Sequence, residues 1–357
     1  MLMTRNRIVR GLLAGLTAAA IAFASRPVPA ASPCEWTGID RVVAFGDVHG
    51  AYDRFVEILK VAGVLDAGSH WAGGSTHVVQ LGDILDRGGD SRKVLDLVRR
   101  LEKEAQAARG RLHLLLGNHE AARMLGDLRL TAAGEYAAFA TPDSESIREK
   151  YLRSLKPATA DERAKLQEMP LGFVEMRQAF GRDGEYGRWL RQLPVTVKID
   201  GFMFVHGGIS PAVAPLGCAA INDQVRRELT TDLEKTREAP LASLTARVDG
   251  PLWYRGLAQE SDAFAPQIDE ILSKAQARAI VVAHTVTTTG RVTSRFDGRV
   301  IQIDTGMQPD YVQGGRASAL EIARGEITAI YVDRRDPVPL PKPQGVPAAA
   351  AQAPPAP

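Results

Sequence analysis

Glycine followed by a carboxylate or carboxamide residue ends one short apolar run after another in this chain, and that pattern narrows the choice of fold. Arg41–Phe45 and His77–Leu81 each run directly into Gly-Asp, and Arg111–Leu116 runs into Gly-Asn. Runs of this length, bounded by turn formers, read as buried strands. Helical patterns stand between them. Ala51–Ala62 sets Tyr52, Phe55, Val56, Leu59 and Ala62 on one face before Gly63. Ser91–Ala108 does the same with Val94, Leu95, Val98, Leu101 and Ala105 before Gly110. Strand, loop, helix and strand in repetition predict an α/β chain with a parallel or mixed sheet covered by helices. Ligands bind such sheets at the carboxyl ends of the strands, so the polar loops mark the expected site.

Downstream the pattern changes. Residues 127–193 are charged and helical, around Glu145–Leu155 and Gly172–Ala179, and read as a helical cap inserted into the core, expected to shape substrate choice. After it, paired apolar runs surround Asp200-Gly201 and Asp297-Gly298, and Ala317–Ile322 faces Ile327–Val332. Asp-Gly between alternating apolar residues predicts hairpins. One more buried strand is expected at Ala279–Ala283.

The termini fall outside this pattern. Arg5, Arg7 and Arg10 precede the apolar stretch Gly11 to Ala24, and Ala22-Phe23-Ala24 or Val28-Pro29-Ala30 offers a small-residue cleavage site. Residues 1–30 therefore read as a secretory signal peptide, which implies a periplasmic or secreted protein. About 14 apolar residues fall short of the roughly 20 that span a bilayer, so no stable membrane anchor is expected. Asp336 to Pro357 is rich in Pro and Ala and reads as a disordered tail, docking of a partner being the alternative. Residues 31–335 remain as the folded domain. The formal net charge is +2; residues 1–30 hold four arginines and no acid, so +2 − 4 leaves −2 on the mature chain. Nothing in that balance recruits nucleic acid or an anionic membrane. Cys34 and Cys218 leave two alternatives: one disulfide, or two separately buried thiols.

Five loops carry the chemistry. They are Gly46-Asp47-Val48-His49-Gly50, Gly82-Asp83-Ile84-Leu85-Asp86-Arg87-Gly88, Gly117-Asn118-His119-Glu120, Val205-His206-Gly207-Gly208 and Ala283-His284-Thr285. Their four histidines stand apart from His70, His77 and His113, which have no such context and read as structural or surface residues. Carboxylate and imidazole at neighbouring strand ends predict a metal site. Mixed oxygen and nitrogen ligands suit Mn, Fe, Zn, Co or Ni better than an all-oxygen Ca or Mg cage. Asp47, His49, Asp83, Asn118, His206 and His284 are six candidate ligands, too many for one catalytic metal with an open position. Two divalent ions about 3.5–4 Å apart, sharing one carboxylate and a hydroxide, fit better. Such a centre keeps a residual positive charge and attracts an anionic ester.

The ordered set GDxHG, GDxxDRG, GNHE and HGG resembles the calcineurin-like metallophosphoesterase superfamily, and within it the phosphoprotein phosphatase family and its Shewanella-like group. Gly126-Asp127-Leu128-Arg129, Gly250-Pro251-Leu252-Trp253-Tyr254-Arg255 and Ile303-Asp304-Thr305-Gly306 extend the resemblance over roughly Asp40 to Asp333. It implies an αββα sandwich of two mixed β-sheets flanked by helices. It also implies a metal-dependent phosphatase acting on a phosphoprotein or phosphopeptide, at phosphotyrosine or at phosphoserine and phosphothreonine. The Ser-Ala-Pro-Asn-Tyr loop of eukaryotic serine/threonine phosphatases is absent. Asp304-Thr305-Gly306 stands in its place and looks like bacterial diadenosine tetraphosphatases, so nucleotide or diadenosine-polyphosphate hydrolysis is the alternative. Carried over by residue, Asp47 and His49 bind the first metal, Asp83 bridges, and Asn118, His206 and His284 complete the second. A bridging hydroxide attacks phosphorus. Arg87 and Arg255, with Asn118, hold phosphate oxygens, and His119, oriented by Asp86, protonates the leaving oxygen.

Overall fold

The computed structural model describes residues 34–155, 159 and 168–341. The signal peptide expected at residues 1–30 and residues 342–357 of the expected tail lie outside the described residues. A short first strand, β1 (Glu35–Trp36), precedes the expected runs, and strands appear where those runs end in glycine: β2 (Arg41–Phe45), β3 (His77–Gln80) and β4 (Arg111–Leu114). The second half supplies β5 (Thr196–Ile199), β6 (Phe202–Val205), β7 (Ala279–Val282), β8 (Thr293–Arg295), β9 (Val300–Gln302), β10 (Ser318–Ala323), β11 (Glu326–Tyr331) and β12 (Arg335–Val338). They form two six-stranded mixed sheets, ordered β1-β5-β6-β7-β9-β8 and β12-β11-β10-β2-β3-β4.

Side-chain alternation packs the sheets face to face. Along β2, Val42 and Ala44 enter the core between the sheets, while Val43 and Phe45 turn to the helices. Along β6, Phe202 and Phe204 point inward and Met203 and Val205 outward. Helices α1 (Tyr52–Val61) and α2 (Ser91–Ala107) cover one outer face, as Phe45 against Phe55 illustrates at 5.6 Å between ring centres. Helix α3 (Asn118–Leu125) follows β4 and leads into the insert, whose described helices are α4 (Ala133–Ala137), α5 (Ser144–Ser154), α6 (Phe173–Phe180) and α7 (Glu185–Leu190). Then come α8 (Gly217–Leu229), α9 (Leu233–Glu238), α10 (Gly256–Gln259) and α11 (Ala265–Ala275). The expected sandwich of two mixed sheets flanked by helices is borne out.

Two of the hairpins follow from left-handed residues. Asp200 and Gly201 (φ 47° and 80°) join β5 to β6, and Arg324 and Gly325 (φ 53° and 78°) join β10 to β11. Paired positive φ values suit the twist of a two-residue hairpin loop. One boundary needs correction. The tail was expected from Asp336, yet Asp336, Pro337 and Val338 lie in β12, paired with β11 at a sheet edge. Proline is tolerated there because an edge strand has one side free of ladder bonds. Among the described residues, no helix is long and apolar enough to cross a membrane.

The open question of the cysteines is decided by packing. Cys34 and Cys218 form a disulfide with Cα atoms 6.1 Å apart, tying the start of β1 to α8 across 184 residues. Closing so long a loop restricts the unfolded chain by up to about 5 kcal/mol. The insert is fastened to α2 by polar bonds, Tyr186 to Asp96 at 2.6 Å and Trp189 to Glu102 at 3.2 Å. Burial pushes the Glu102 carboxyl up to about 7 from its ordinary 4.5, against the pull of Trp189 and Arg99. A raised carboxyl favours the protonated fold, so its contribution is lost as pH climbs from about 4.5 to 7. Two stability measurements follow. Cys218→Ser is expected to lower Tm by roughly 5–15 °C under non-reducing conditions. Glu102→Gln is expected to raise Tm by about 2–6 °C at pH 8 and by less at pH 5.

Candidate metal centre

The site forms where two sets of parallel strands end. β2, β3 and β4 are parallel neighbours in one sheet, as are β6, β7 and β9 in the other. Their carboxyl ends meet across the sandwich: His206 Nδ1 donates to the Leu81 carbonyl (2.9 Å), and the His284 N–H donates to Asp47 Oδ1 (3.2 Å). The tight approach explains the glycines. A Cβ on Gly117 would come within 2.1 Å of Asp83 Oδ1, and one on Gly82 within 2.3 Å of the Gly117 nitrogen. Glu120 holds the loops together. Its buried carboxylate accepts the backbone N–H groups of Asp83, Ile84, Leu85 and Gly117 at 2.8–3.1 Å.

Two groups of side chains share one carboxylate. Asp83 with His49 and His119 forms one set, and Asp83 with His206 and His284 forms the other, every member buried. Asp83 Oδ2 lies 3.3 Å from His206 Nε2 and 3.7 Å from the Nε2 atoms of His49 and His119. Asp47 Oδ2 is 3.8 Å from His49 Nε2, and Asn118 Oδ1 is 2.9 Å from His206 Nε2. All six expected ligands are thus brought together. His119, expected as an acid, also lies within reach of a metal group.

The hydrogen bonds fit a cation. His49 Nδ1 and His206 Nδ1 donate to the carbonyls of Leu85 and Leu81, which leaves each Nε2 turned toward Asp83. In the neutral ring, His206 Nε2 and Asn118 Oδ1 are two lone-pair atoms side by side, an arrangement that a shared cation makes favourable. His284 Nε2 is buried and has no hydrogen-bond partner among the described residues. Burial lowers His49 to about 4 and His284 to about 2, so both rings are neutral and ready to donate lone pairs. Burial raises Asp47 well above the carboxylate range, with Asp304 and Asp83 adding repulsion. Positive charge between these acids would relieve that repulsion.

Beside the metal groups stand the residues expected to handle phosphate and proton. His119 Nδ1 faces Asp86 Oδ2 at 2.6 Å. Burial alone would lower the imidazole, but Asp83 and Asp86 outweigh it and lift His119 to about 9. The Arg87 guanidinium carbon sits 4.3 Å above the Tyr311 ring, its Nε buried without a partner among the described residues. Arg255 is exposed, and its Nη1 bonds the His284 carbonyl (2.8 Å) and Thr285 Oγ1 (2.9 Å), so part of its donor capacity steadies the His284 loop. Sequence reasoning missed Asp304 as a site residue. It follows β9, is 2% exposed, and is pushed up to about 6 by burial, with Asp47 beside it. Its place just after a parallel strand was the available signal. His77, the first residue of β3, and His113 in β4 are buried, with His77 Nδ1 and His113 Nε2 3.1 Å apart, while His70 is exposed.

Residues 40–287 match the family model described as calcineurin-like phosphoesterase. This chain belongs to that family. An uncharacterized protein of Schizosaccharomyces pombe is 30% identical to this phosphoesterase over 295 residues, 81% of this chain and 79% of that protein. Shewanella-like protein phosphatase 2 of Arabidopsis thaliana is 28% identical over 300 residues, 80% of this chain and 75% of its own. Among solved structures, the cold-active protein-tyrosine phosphatase of a psychrophilic Shewanella species superposes with a TM-score of 0.67 at 29% identity, covering 86% of this chain and 82% of that one. The family resemblance drawn from the loop motifs is borne out, and with it the assignment as a phosphatase.

Because Asp83 belongs to both groups, Asp83→Asn is expected to cut bound metal, read by elemental analysis, to under about half of the wild-type content. Asp304 acts on the centre through Asp47, so Asp304→Ala should weaken metal retention about 10–100-fold in a chelator competition while the fold stays intact.

Proposed function

We propose that this phosphoesterase is an exported protein phosphatase with a dinuclear centre of manganese, iron or zinc, acting on phosphotyrosine. The observation that carries the reading is one buried carboxylate, Asp83, common to two histidine groups, with Arg87 and the His119–Asp86 pair alongside. Asp47, His49 and Asp83 would hold the first ion, and Asp83, Asn118, His206 and His284 the second. When bound, the ions supply Lewis acidity, acidifying a water and neutralising charge on the phosphoryl oxygens. Arg87 presents a planar fork to the phosphate, kept in place by Tyr311. Asp86 accepts a hydrogen bond from His119 Nδ1–H, fixes the orientation of the ring and favours its imidazolium form, which leaves Nε2–H to be given to the departing oxygen.

The choice of tyrosine rests on shape and on likeness. A pocket of about 390 Å³ adjoins His119 and Asn118 and is walled by Ala122, Leu130 and Trp253. A phenol ring bonded to the leaving oxygen fits such a wall better than the short stem of serine. The Shewanella structure bearing the name protein-tyrosine phosphatase supports the same choice. Export is supported by the disulfide, since such bonds persist in oxidising compartments.

Phosphate release by the metal-loaded protein tests the reading. Phosphotyrosine peptides are expected to be hydrolysed with kcat/KM about tenfold or more above phosphoserine and phosphothreonine peptides and above diadenosine tetraphosphate. Preference for diadenosine tetraphosphate would replace the protein substrate with a nucleotide.

A further inference from the structure

Asp86, which holds His119, is itself held by a buried ion network that the loop motifs do not contain. Arg123, four residues after His119 on α3, directs Nη2 to Asp86 Oδ1 at 2.5 Å and to Glu135 Oε2 at 3.0 Å. Glu135 lies on α4 of the insert, and its Oε1 accepts the backbone N–H of Asp86 at 3.2 Å. The Thr131 hydroxyl, also from the insert, donates to Asp86 Oδ1 at 3.2 Å. The side chains of Arg123 and Glu135 are each only 2% exposed, and that of Asp86 4%. Around the guanidinium stand Met176 Sδ, 3.3 Å from Nη1, and the Phe180 ring, 5.1 Å away, both from α6.

Burying an ion network this deeply is a poor way to gain stability, because desolvation rivals the Coulombic attraction and apolar side chains of similar size would serve. Its geometry explains it better. Asp86 has φ +67°, a left-handed conformation that a non-glycine residue keeps only under restraint. Glu135 restrains the backbone of Asp86 and Arg123 restrains its carboxylate. With Oδ1 occupied by Arg123 and Thr131, Oδ2 is left for His119 Nδ1.

We propose that Arg123 and Glu135 are positioning residues for protonation of the leaving group. They clamp Asp86 in the one orientation that receives the His119 Nδ1 proton, so that Nε2–H points to the departing oxygen. This rests on the reading of His119 as the acid. As the P–O bond breaks, its electron pair goes to the leaving oxygen, which takes the Nε2 proton. His119 becomes neutral and keeps Nδ1–H on Asp86. The inserted helices thereby act on the chemical step, in addition to any contact with substrate.

The test is leaving-group dependence in the metal-loaded enzyme. 4-Nitrophenolate departs without a proton, whereas phenolate needs one. Arg123→Met and Glu135→Gln are expected to lower kcat on phenyl phosphate about 10–100-fold, within the range of general acid catalysis. On 4-nitrophenyl phosphate they should lower it less than about threefold, with KM and metal content unchanged. Arg123→Lys should recover part of the phenyl phosphate rate. Equal losses on both substrates, or none on either, would overturn the proposal. Glu135→Gln preserves shape and carries the test alone if Arg123→Met does not fold. Asp86→Asn, measured in parallel, separates the two levels. If it shows the leaving-group effect and the Arg123 and Glu135 variants do not, the positioning role falls alone. If it shows none, the acid role of His119 falls with it.

Discussion

Asp83 lies where the carboxyl ends of two parallel strand sets abut, with imidazole nitrogens from three other loops within 3.7 Å of its Oδ2. A carboxylate this deep is stable only among donors or cations. The surrounding bonds supply the donors: the His119 N–H reaches Asp83 Oδ1 at 3.0 Å, and Glu120 holds the Asp83 backbone. In turn Leu85 orients His49 and Leu81 orients His206, both through backbone carbonyls of the β3 end. His49 and His206 are thus each aimed by a carbonyl outside their own loop. The sheets have to close on each other for the centre to exist.

That closure is held against local backbone preference. His49, Asp83, Asp86, Arg87 and His284 all have positive φ, between 45° and 68°. Conformations of this kind cost about 1–3 kcal/mol each when nothing compensates. Concentrating them in one place requires an over-determined framework, and the four backbone bonds to Glu120 provide part of it. Residues held off their preferred conformations point their side chains inward to a common focus. The strain sits in the loops, while the two cores on either side of each sheet remain regular and apolar.

The insert changes meaning in this light. Its amphipathic helices pack through Met176, Phe180 and Tyr186 into the core beside α2, so it is not a loose cover. Through Glu135 and Thr131 it also enters the hydrogen bonds around Asp86. The segment expected to shape substrate choice is therefore wired to the His119–Asp86 pair, the proton donor proposed above.

Local chemistry explains what could be read directly. Strands that end in glycine and a polar residue carry their own signal, as do hairpins built on Asp200-Gly201, because φ above zero restricts residue choice within two positions. The six expected ligands were legible because each sits in the loop that follows its strand. Asp304, Arg123 and Glu135 were not. Asp304 matters through Asp47, 257 residues away, and Glu135 through a backbone N–H 49 residues back. The disulfide and the edge strand β12 likewise depend on partners distant in the chain. Sequence by itself determined the α/β layout, the metal-binding loops and the family, since these are written in short-range periodicity and motif. Tertiary structure alone decided that the cysteines meet and that an ion network braces Asp86. Those facts are distances between segments far apart in the chain, and only their packing sets them.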